Sequence, residues 1–419
     1  MLNCASLYKG GYSVYNPKNP PFKLKTLTPI WTGNIDRDSI SAAETGVLGS
    51  LRWWYEGIVR SLDGYACDPT DDDVSKRCKF DSDAYEKAIN CGENVDEAFK
   101  EGLKDVCAVC RLFGCTGLAK RFRIEIKGLK TLPLFFVTHQ GVYATNGNWL
   151  FRIFGGQELG GQKKGKGMQT EFIFRNSTLW SSDPFDMSFL SIHGDEEKNL
   201  HILYYLLWVT TSLGALGAKS QNGFGQVKIL NGLNNDMLES GKRYVQEEIQ
   251  KSKKGENDEK HFNLNNFFSI IYEMKDPAPY EGVGWIVGRA PSNFDYRSYF
   301  IPCAFDIRYK SSTRNPFTSR GRDFGMRPFF KERLNSKITS DLFGSLGDSK
   351  SASKIHVSHL FKEAPNEKYY LKVWGYVPKT IGVDLKTVTT FLDEFIADKK
   401  GMFPGSKKVF EYNPKSVIG

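Results

Sequence analysis

The stretch Gly214-Ala-Leu-Gly-Ala-Lys-Ser-Gln-Asn-Gly-Phe-Gly-Gln-Val227 constrains the fold more than any other in this sequence. Four glycines, Gly214, Gly217, Gly223 and Gly225, surround Lys219, Ser220, Gln221 and Asn222. Without Cβ atoms the backbone can take positive φ and bring its N–H groups close to a neighbour or a ligand. The central residues add one cation and three polar side chains. An apolar run from Leu200 to Val209 precedes the stretch and Gln226-Val-Lys-Ile-Leu230 follows it, which reads as helix, glycine loop, strand. Two readings fit the loop alone: a surface offered to an anionic backbone, or a glycine-rich helix stop and turn.

With 419 residues the chain exceeds the size at which single cores stop growing, so two domains are expected. Hydrophobic residues at 40% and charged residues at 25% fit a globular protein, whereas 14% aromatics, with 30 Phe and 19 Tyr, exceed the usual share. Such an excess serves thick cores or stacking platforms. The net charge of +9 favours an acidic partner. Met1-Leu-Asn-Cys-Ala-Ser-Leu-Tyr8 lacks a basic segment followed by a long apolar core, so a cytoplasmic, reducing setting is expected. The run from Leu200 to Gly217 is interrupted by His201, Thr210, Thr211 and Ser212, which points to a buried helix and to no membrane partner.

Along the chain, Phe22-Lys-Leu-Lys-Thr-Leu-Thr28 opens with period-two alternation and stops at Pro29, as a strand does. Ser41-Ala-Ala-Glu44 has the spacing of a capping box, and Val47, Leu51, Trp54, Ile58 and Leu62 then share a helical face. Arg52, Glu56 and Arg60 share another. The segment Asp63 to Lys104 reads as a surface insertion with one helix near Val95–Leu103 and without chemistry of its own. Val106 to Gly117 reads as a short helix with a glycine stop, running into a basic strand, Lys120-Arg-Phe-Arg-Ile-Glu-Ile126.

Strands are expected near Trp149–Phe154 and Thr170–Arg175, flanking a second cationic glycine loop, Gly160–Gly167, that carries Lys164 and Lys166. After a polar segment, strands at Tyr299–Arg308, Lys354–Leu360, Tyr369–Gly375 and Lys408–Tyr412 alternate with helical stretches at Pro328–Phe343 and Val388–Ala397. That order is β-α-β-β-α-β. Leu112-Phe-Gly114 and Leu342-Phe-Gly344 precede corresponding strands in the two halves, which suggests duplication. The expected division is a first domain over 1–240, a linker over 241–265 and a second domain over 266–419.

Gly160 and Gly165-Lys166 have Walker A spacing, but Gly167 offers no hydroxyl to Mg²⁺, so no nucleotide site is expected. Cys107, Cys110 and Cys115 fit buried thiols, zinc ligands or a redox pair. Buried thiols are the simplest, because a fourth zinc ligand would have to come from Cys67, Cys78, Cys91 or a distant His at no recognisable spacing. No cofactor is called for. The six histidines form no motif with a carboxylate or Ser, and His356 and His359 would point to opposite faces of a strand.

Trp31 suits either core or stacking, while Arg52, Arg60, Lys120, Arg121, Arg123 and Lys219 fit either ordinary solvated charges or, because they fall on elements of one β-α-β-β-α-β unit, a shared surface, which is the expectation.

Leu27-Thr-Pro-Ile-Trp-Thr-Gly33, Leu48-Gly-Ser-Leu-Arg-Trp-Trp-Tyr-Glu56 continuing to Arg60, Cys110-Arg-Leu-Phe-Gly-Cys-Thr-Gly117 with Lys120-Arg-Phe-Arg123, and the glycine loop occur in that order. In these the sequence resembles the RAMP superfamily of CRISPR proteins, and within it the family of first RAMP subunits of the type III-B Cmr effector complex. The resemblance implies an α+β fold of tandem ferredoxin-like (RRM-like, βαββαβ) domains with insertions. It implies a subunit without catalytic residues that contacts the 3′ part of a guide crRNA, helps to capture target single-stranded RNA and docks other RAMP subunits in antiviral defence. Carried onto this sequence, it makes Trp31, Arg52, Trp53, Arg60, Lys120, Arg121, Arg123, Lys219 and Ser220 candidates for RNA contact. Lys164 and Lys166 join them as cations of the second glycine loop. A metal-independent endoribonuclease that processes guide precursors, as other RAMPs do, is the alternative.

Overall fold

The computed structural model describes residues 21–32, 42–132, 134–139, 157–158, 169–173, 178–180, 183–275, 283–287, 304–308, 325–345, 351–364, 367–398 and 403–418. The first half runs β1 (Phe22–Thr26), α1 (Glu44–Ser61), α2 (Ser82–Asn90), α3 (Val95–Gly102), α4 (Ala108–Phe113) and β2 (Phe122–Lys127). Short strands β3 (Lys130–Leu132), β4 (Leu134–His139), β5 (Gln157–Glu158), β6 (Gln169–Ile173) and β7 (Thr178–Trp180) follow. Then come β8 (Phe185–Ser191), α5 (Glu196–Leu213), β9 (Val227–Ile229) and α6 (Asn235–Lys251). Strands β2, β8, β1 and β9 form one antiparallel sheet in that order. With α1 and α5 as the crossovers this is a ferredoxin-like βαββαβ unit, into which α2–α4 and β3–β7 are inserted.

The second half repeats the arrangement. It runs β10 (Phe267–Glu273), β11 (Val283–Val287), α7 (Ala304–Arg308), α8 (Met326–Arg333), α9 (Ser336–Phe343), β12 (Ile355–Val357), β13 (Tyr370–Tyr376), α10 (Leu385–Ile396), β14 (Lys407–Glu411) and α11 (Lys415–Ile418). Its sheet has the order β12-β13-β10-β14, the same permutation as the first. The Leu-Phe-Gly echo marks equivalent points in the two units. Helices α4 and α9 end at Phe113 and Phe343, and the next residues, Gly114 and Gly344, have φ of 84° and 83° with ψ of 163° and 162°. The backbone then returns to donate to the same carbonyl in each, Arg121 N to Leu112 O at 3.0 Å and Lys354 N to Leu342 O at 2.8 Å. A further sheet, β11-β4-β6-β5, pairs a strand of the second half with the insertion of the first.

Helices α1 and α5 are sandwiched between the two main sheets. From Trp54 to Ser61, α1 is buried all round, and α5 buries residues on every face. This explains why Leu200–Val209 is apolar without a helical period: a helix covered on both sides needs no polar face. Among the described residues no helix is long and apolar enough to cross a membrane. Trp54 meets Phe262 and Phe267 edge to face at 5.4 and 5.2 Å, and the first core extends through Phe267, Trp374 and Tyr412 of the second half. Along β10 and β13, Phe268, Ile270, Leu371 and Val373 face a separate core under the second unit's own helices.

Several expectations are corrected. Helix α1 begins at Glu44 with Ala43 as an N-cap that makes no side-chain bond, and the Glu44 carboxylate accepts from Lys120 Nζ at 2.6 Å and Ile124 N at 2.9 Å. It is therefore committed to β2 rather than to a capping box, whose Ser41 lies outside the described residues. The stretch expected as a strand over Tyr299–Arg308 is helical from Ala304 to Arg308. Helix α6 runs across residue 240 and packs on α5, where a Cβ at Gly241 would lie 2.3 Å from His201 O. The segment Asp63–Lys104 holds two helices, and it brings Cys67 and Cys78 into the core beside Cys107 and Cys110. The Gly160–Gly167 loop and the strand expected at Trp149–Phe154 lie outside the described residues.

Two variants test the packing. At Gly225, φ is +85° and a Cβ would lie 2.0 Å from Leu216 O, whereas nothing lies within 4 Å of a Cβ at helical Gly49. Gly225→Ala should cost at least ~1–3 kcal/mol and Gly49→Ala should gain about 0.5–1 kcal/mol in denaturant unfolding.

The seam between the units carries a titrating group. Lys372 is wholly buried, and burial pushes its pKa from 10.5 down to about 7. Between those two values the unfolded chain binds the proton that the folded chain lacks, so stability rises with pH through that window and is flat below it. The stability difference between wild type and Lys372→Met should climb from about pH 7 upward, with a slope approaching ~1.4 kcal/mol per pH unit. Parallel pH curves would contradict this.

Candidate nucleic-acid interface

The glycine loop leaves α5 at Gly214 and crosses the seam between the two units. Its backbone is heavily committed. Ala218 N donates to Trp31 O at 2.7 Å, Gly225 N to Pro29 O at 2.8 Å and Gly217 N to Ser50 Oγ at 3.1 Å. Leu216 N, Asn222 N and Gly223 N bond within the loop. From the second unit, Lys372 Nζ donates to Thr211 O and Gly214 O at 3.1 and 3.0 Å, and Arg308 Nη1 donates to Gln221 O. Gly214 leaves no room for a side chain, since a Cβ would lie 2.2 Å from the Trp54 ring. The expectation that this backbone is presented to a ligand is thus replaced: these N–H groups pin β1, α1 and α5 to one another.

What the loop does offer is side chains. Together with the amino end of α1 and strands β12 and β13 it encloses a cleft of about 450 Å³. Thr45, Gly46, Gly49 and Ser50 form one wall, Lys219 and Ser220 a second, and His356 and Trp374 a third, with Trp53 at the junction. Lys219 sits in the left-handed region at φ 57°, and its Nζ lies 3.8 Å from the Trp31 ring centroid. A lysine held there without a glycine's freedom stores strain, which is tolerated where a side chain must be aimed. Ser220 Oγ is 3.3 Å from His356 Nδ1. Burial, reinforced by the Arg308 charge, pushes His356 down to about 3, so the imidazole facing the cleft is neutral.

The structure gathers only part of the expected set. Trp53, Lys219 and Ser220 line the cleft, and Lys120 stands beside it through its ion pair with Glu44, the residue before Thr45. Trp53 is half-buried, stacked on Phe262 at 3.9 Å and 7°, and it lies 6.5 Å from His356 at 20°. Trp31 is core, 2% exposed and edge-on to Phe224 at 5.5 Å, and so cannot stack on a base.

The remaining cations are scattered. Arg60 is buried and donates to Ala66 O and Phe262 O, so the expectation of an open helix edge fails there. Arg52 points away from the cleft, donating to Glu56 Oε1 at 3.1 Å, Gly114 O at 3.2 Å and Cys110 Sγ at 3.2 Å. Burial opposes its charge, but Cys110 and Glu56 outweigh burial and raise its pKa. Arg121 lies over the Phe99 ring at 5.4 Å, with its pKa lowered by burial. Arg123 is exposed on the outer face of the first sheet. That face also carries Lys23, Glu125, Lys127 and Asp186, and an ion pair of 2.6 Å joins Lys23 to Asp186. Lys164 and Lys166 lie outside the described residues.

His356, Ser50 and Thr45 are additions. Their signal was present only as a strand and a helix start, without the seam that joins them.

A model of the RAMP superfamily matches residues 23–228. No curated protein sequence matches the chain. Among solved structures, Cmr1 from Pyrococcus furiosus in its apo form is similar at 14% identity, covering 93% of this chain and 98% of that chain with a TM-score of 0.39. A chain of the type III-B Cmr-beta complex bound to cognate target RNA is similar at 13% identity, covering 89% of this chain and 98% of that one with a TM-score of 0.37. The family match runs from the first strand of the first βαββαβ unit into its last, and identifies that unit as a RAMP superfamily domain.

Proposed function

We propose that the chain is a non-catalytic RNA-binding and assembly subunit of a type III-B CRISPR (Cmr) RNA-guided effector complex. In this reading the inter-unit cleft holds single-stranded RNA, with the guide crRNA or its captured target as the strand and other RAMP subunits docked around it. The observation that carries the reading is the convergence of Lys219, Ser220 and Trp53 on the amino end of α1. A helix of 18 residues offers partial positive charge and spare N–H groups at that end. Lys219 adds a full charge, and half-buried Trp53 supplies an apolar wall for a base. Outward residues of the first sheet's strands among those described, such as Lys23, Lys25, Arg123, Glu125 and Lys228, carry no ring in that role, so base stacking on an open sheet is not the mode suggested.

Within the cleft, a binding rather than a cleaving role is favoured by the two buried histidines. Metal-independent RNA cleavage needs a group that exchanges a proton near neutral pH. Burial pushes both His356 and His359 down to about 3, which makes each a weak base and no acid at pH 7. Labelled repeat RNA incubated with the full chain in EDTA should stay intact. Specific cleavage would contradict the reading.

Lys219→Gly separates binding from folding. Relief of the left-handed backbone, ~1–2 kcal/mol, offsets loss of the cation–π contact, ~0.5–2 kcal/mol, so stability should change by less than ~1 kcal/mol. Single-stranded RNA affinity should fall several-fold, with the salt slope flattened by about 0.7 for one lost phosphate contact. Fluorescence anisotropy across a salt series measures both, and an unchanged slope would remove Lys219 from the interface.

A further inference from the structure

A second cluster lies outside the cleft. The chain leaves α1, passes Cys67, makes a short turn at Val74–Lys76 and passes Cys78, then returns through α2 and α3 to Cys107 and Cys110. Cys107 is the N-cap of α4, and Cys110 lies one turn further along. The four Sγ atoms all lie within 4.8 Å of one another, and all four residues are buried. Cys67 Sγ is 3.5 Å from Cys110 Sγ and 3.9 Å from Cys107 Sγ. A tetrahedron with zinc–sulfur bonds of ~2.3 Å has edges of ~3.8 Å, so these separations match a shared ion. They are far longer than the ~2.05 Å of a disulfide.

The surroundings suit thiolates. Cys107 N donates to Cys78 Sγ at 3.3 Å, and Arg52 Nη2 donates to Cys110 Sγ at 3.2 Å. A guanidinium aimed at sulfur in the core is poorly matched to neutral thiols, whereas four thiolates around a divalent cation leave a net charge of −2 that it offsets. Four sulfur ligands with no open position describe a structural rather than a catalytic site, and their softness selects zinc over hard cations.

We propose that Cys67, Cys78, Cys107 and Cys110 bind one structural zinc ion that staples the insertion between α1 and α4 to the core. Cys115 falls outside the set and Cys91 is exposed, so neither is a ligand. Each ligand thiol gives up its proton to solvent as it takes the ion, and no electron moves.

Metal analysis of the full chain, purified without chelator, should find one zinc per chain. Cys91→Ser and Cys115→Ser should keep it, while Cys78→Ser should lose it and unfold at a lower temperature. The wild-type protein supplies a second readout that does not depend on the folding of Cys78→Ser. Exchange with cobalt should give the intense visible absorption of a tetrahedral thiolate site, and titration with a mercurial should release the zinc as four ligand thiolates exchange their Zn–S bonds for S–Hg bonds. The proposal is overturned by wild-type protein without metal after zinc-supplemented expression, by iron in place of zinc, by native disulfides among these four cysteines, or by full zinc occupancy in Cys78→Ser.

Discussion

Lys372 reaches out of the second sheet and donates to Thr211 O and Gly214 O, the carbonyls at the end of α5. Helix ends leave such carbonyls without partners and carry partial negative charge. Here the cap comes from the other ferredoxin-like unit, so the helix and the seam are completed by one contact. Gly214 makes it possible, because any side chain there would enter the Trp54 ring. The cleft exists because this seam closes below it: α1, the glycine loop and β12 meet at one corner and leave a gap lined by side chains of all three.

The same packing decides which cations remain available to a ligand. A helix sandwiched between two sheets turns its arginines inward, where they serve carbonyls and carboxylates. Arg60 holds Ala66 and Phe262, and Glu56 keeps its neighbours Arg52 and Arg60 in a buried chain, with burial raising the Glu56 pKa against their charges. Positive charge counted along the sequence therefore overstates the surface. Lys219, with its backbone forced to positive φ, is the case in which geometry aims a cation at the cleft.

Much of the fold was legible in the sequence because its signals are local. The alternation of Phe22–Thr26, the periodic face of Val47 to Ile58 and the second half's elements from the helix ending at Phe343 to the strand at Lys407–Glu411 survive in the structure, whereas that unit's first strand, Phe267–Glu273, was missed. Even the three-residue echo at Leu112 and Leu342 marks matching helix ends with nearly identical dihedrals. What was not legible depends on contacts between distant segments. Arg52 and Arg60 share a helical face with Glu56 whether that face meets solvent or a second domain, and only the seam distinguishes the two. The spacing of cysteines 67, 78, 107 and 110 follows no short motif, because two helices intervene between the pairs. The stretch before Arg308 is rich in strand-forming residues, yet it ends in a helix packed against β12, a tertiary override of local preference.

The central claim is that RNA enters the cleft between the two units rather than lying across the open face of the first sheet. Photocrosslinking of thiouridine-labelled single-stranded RNA to the intact chain, mapped by peptide mass spectrometry, tests it directly. The account predicts adducts on the peptides bearing Trp53, Lys219 and His356, and none on those bearing Lys23 and Arg123. Adducts confined to the latter peptides would contradict it.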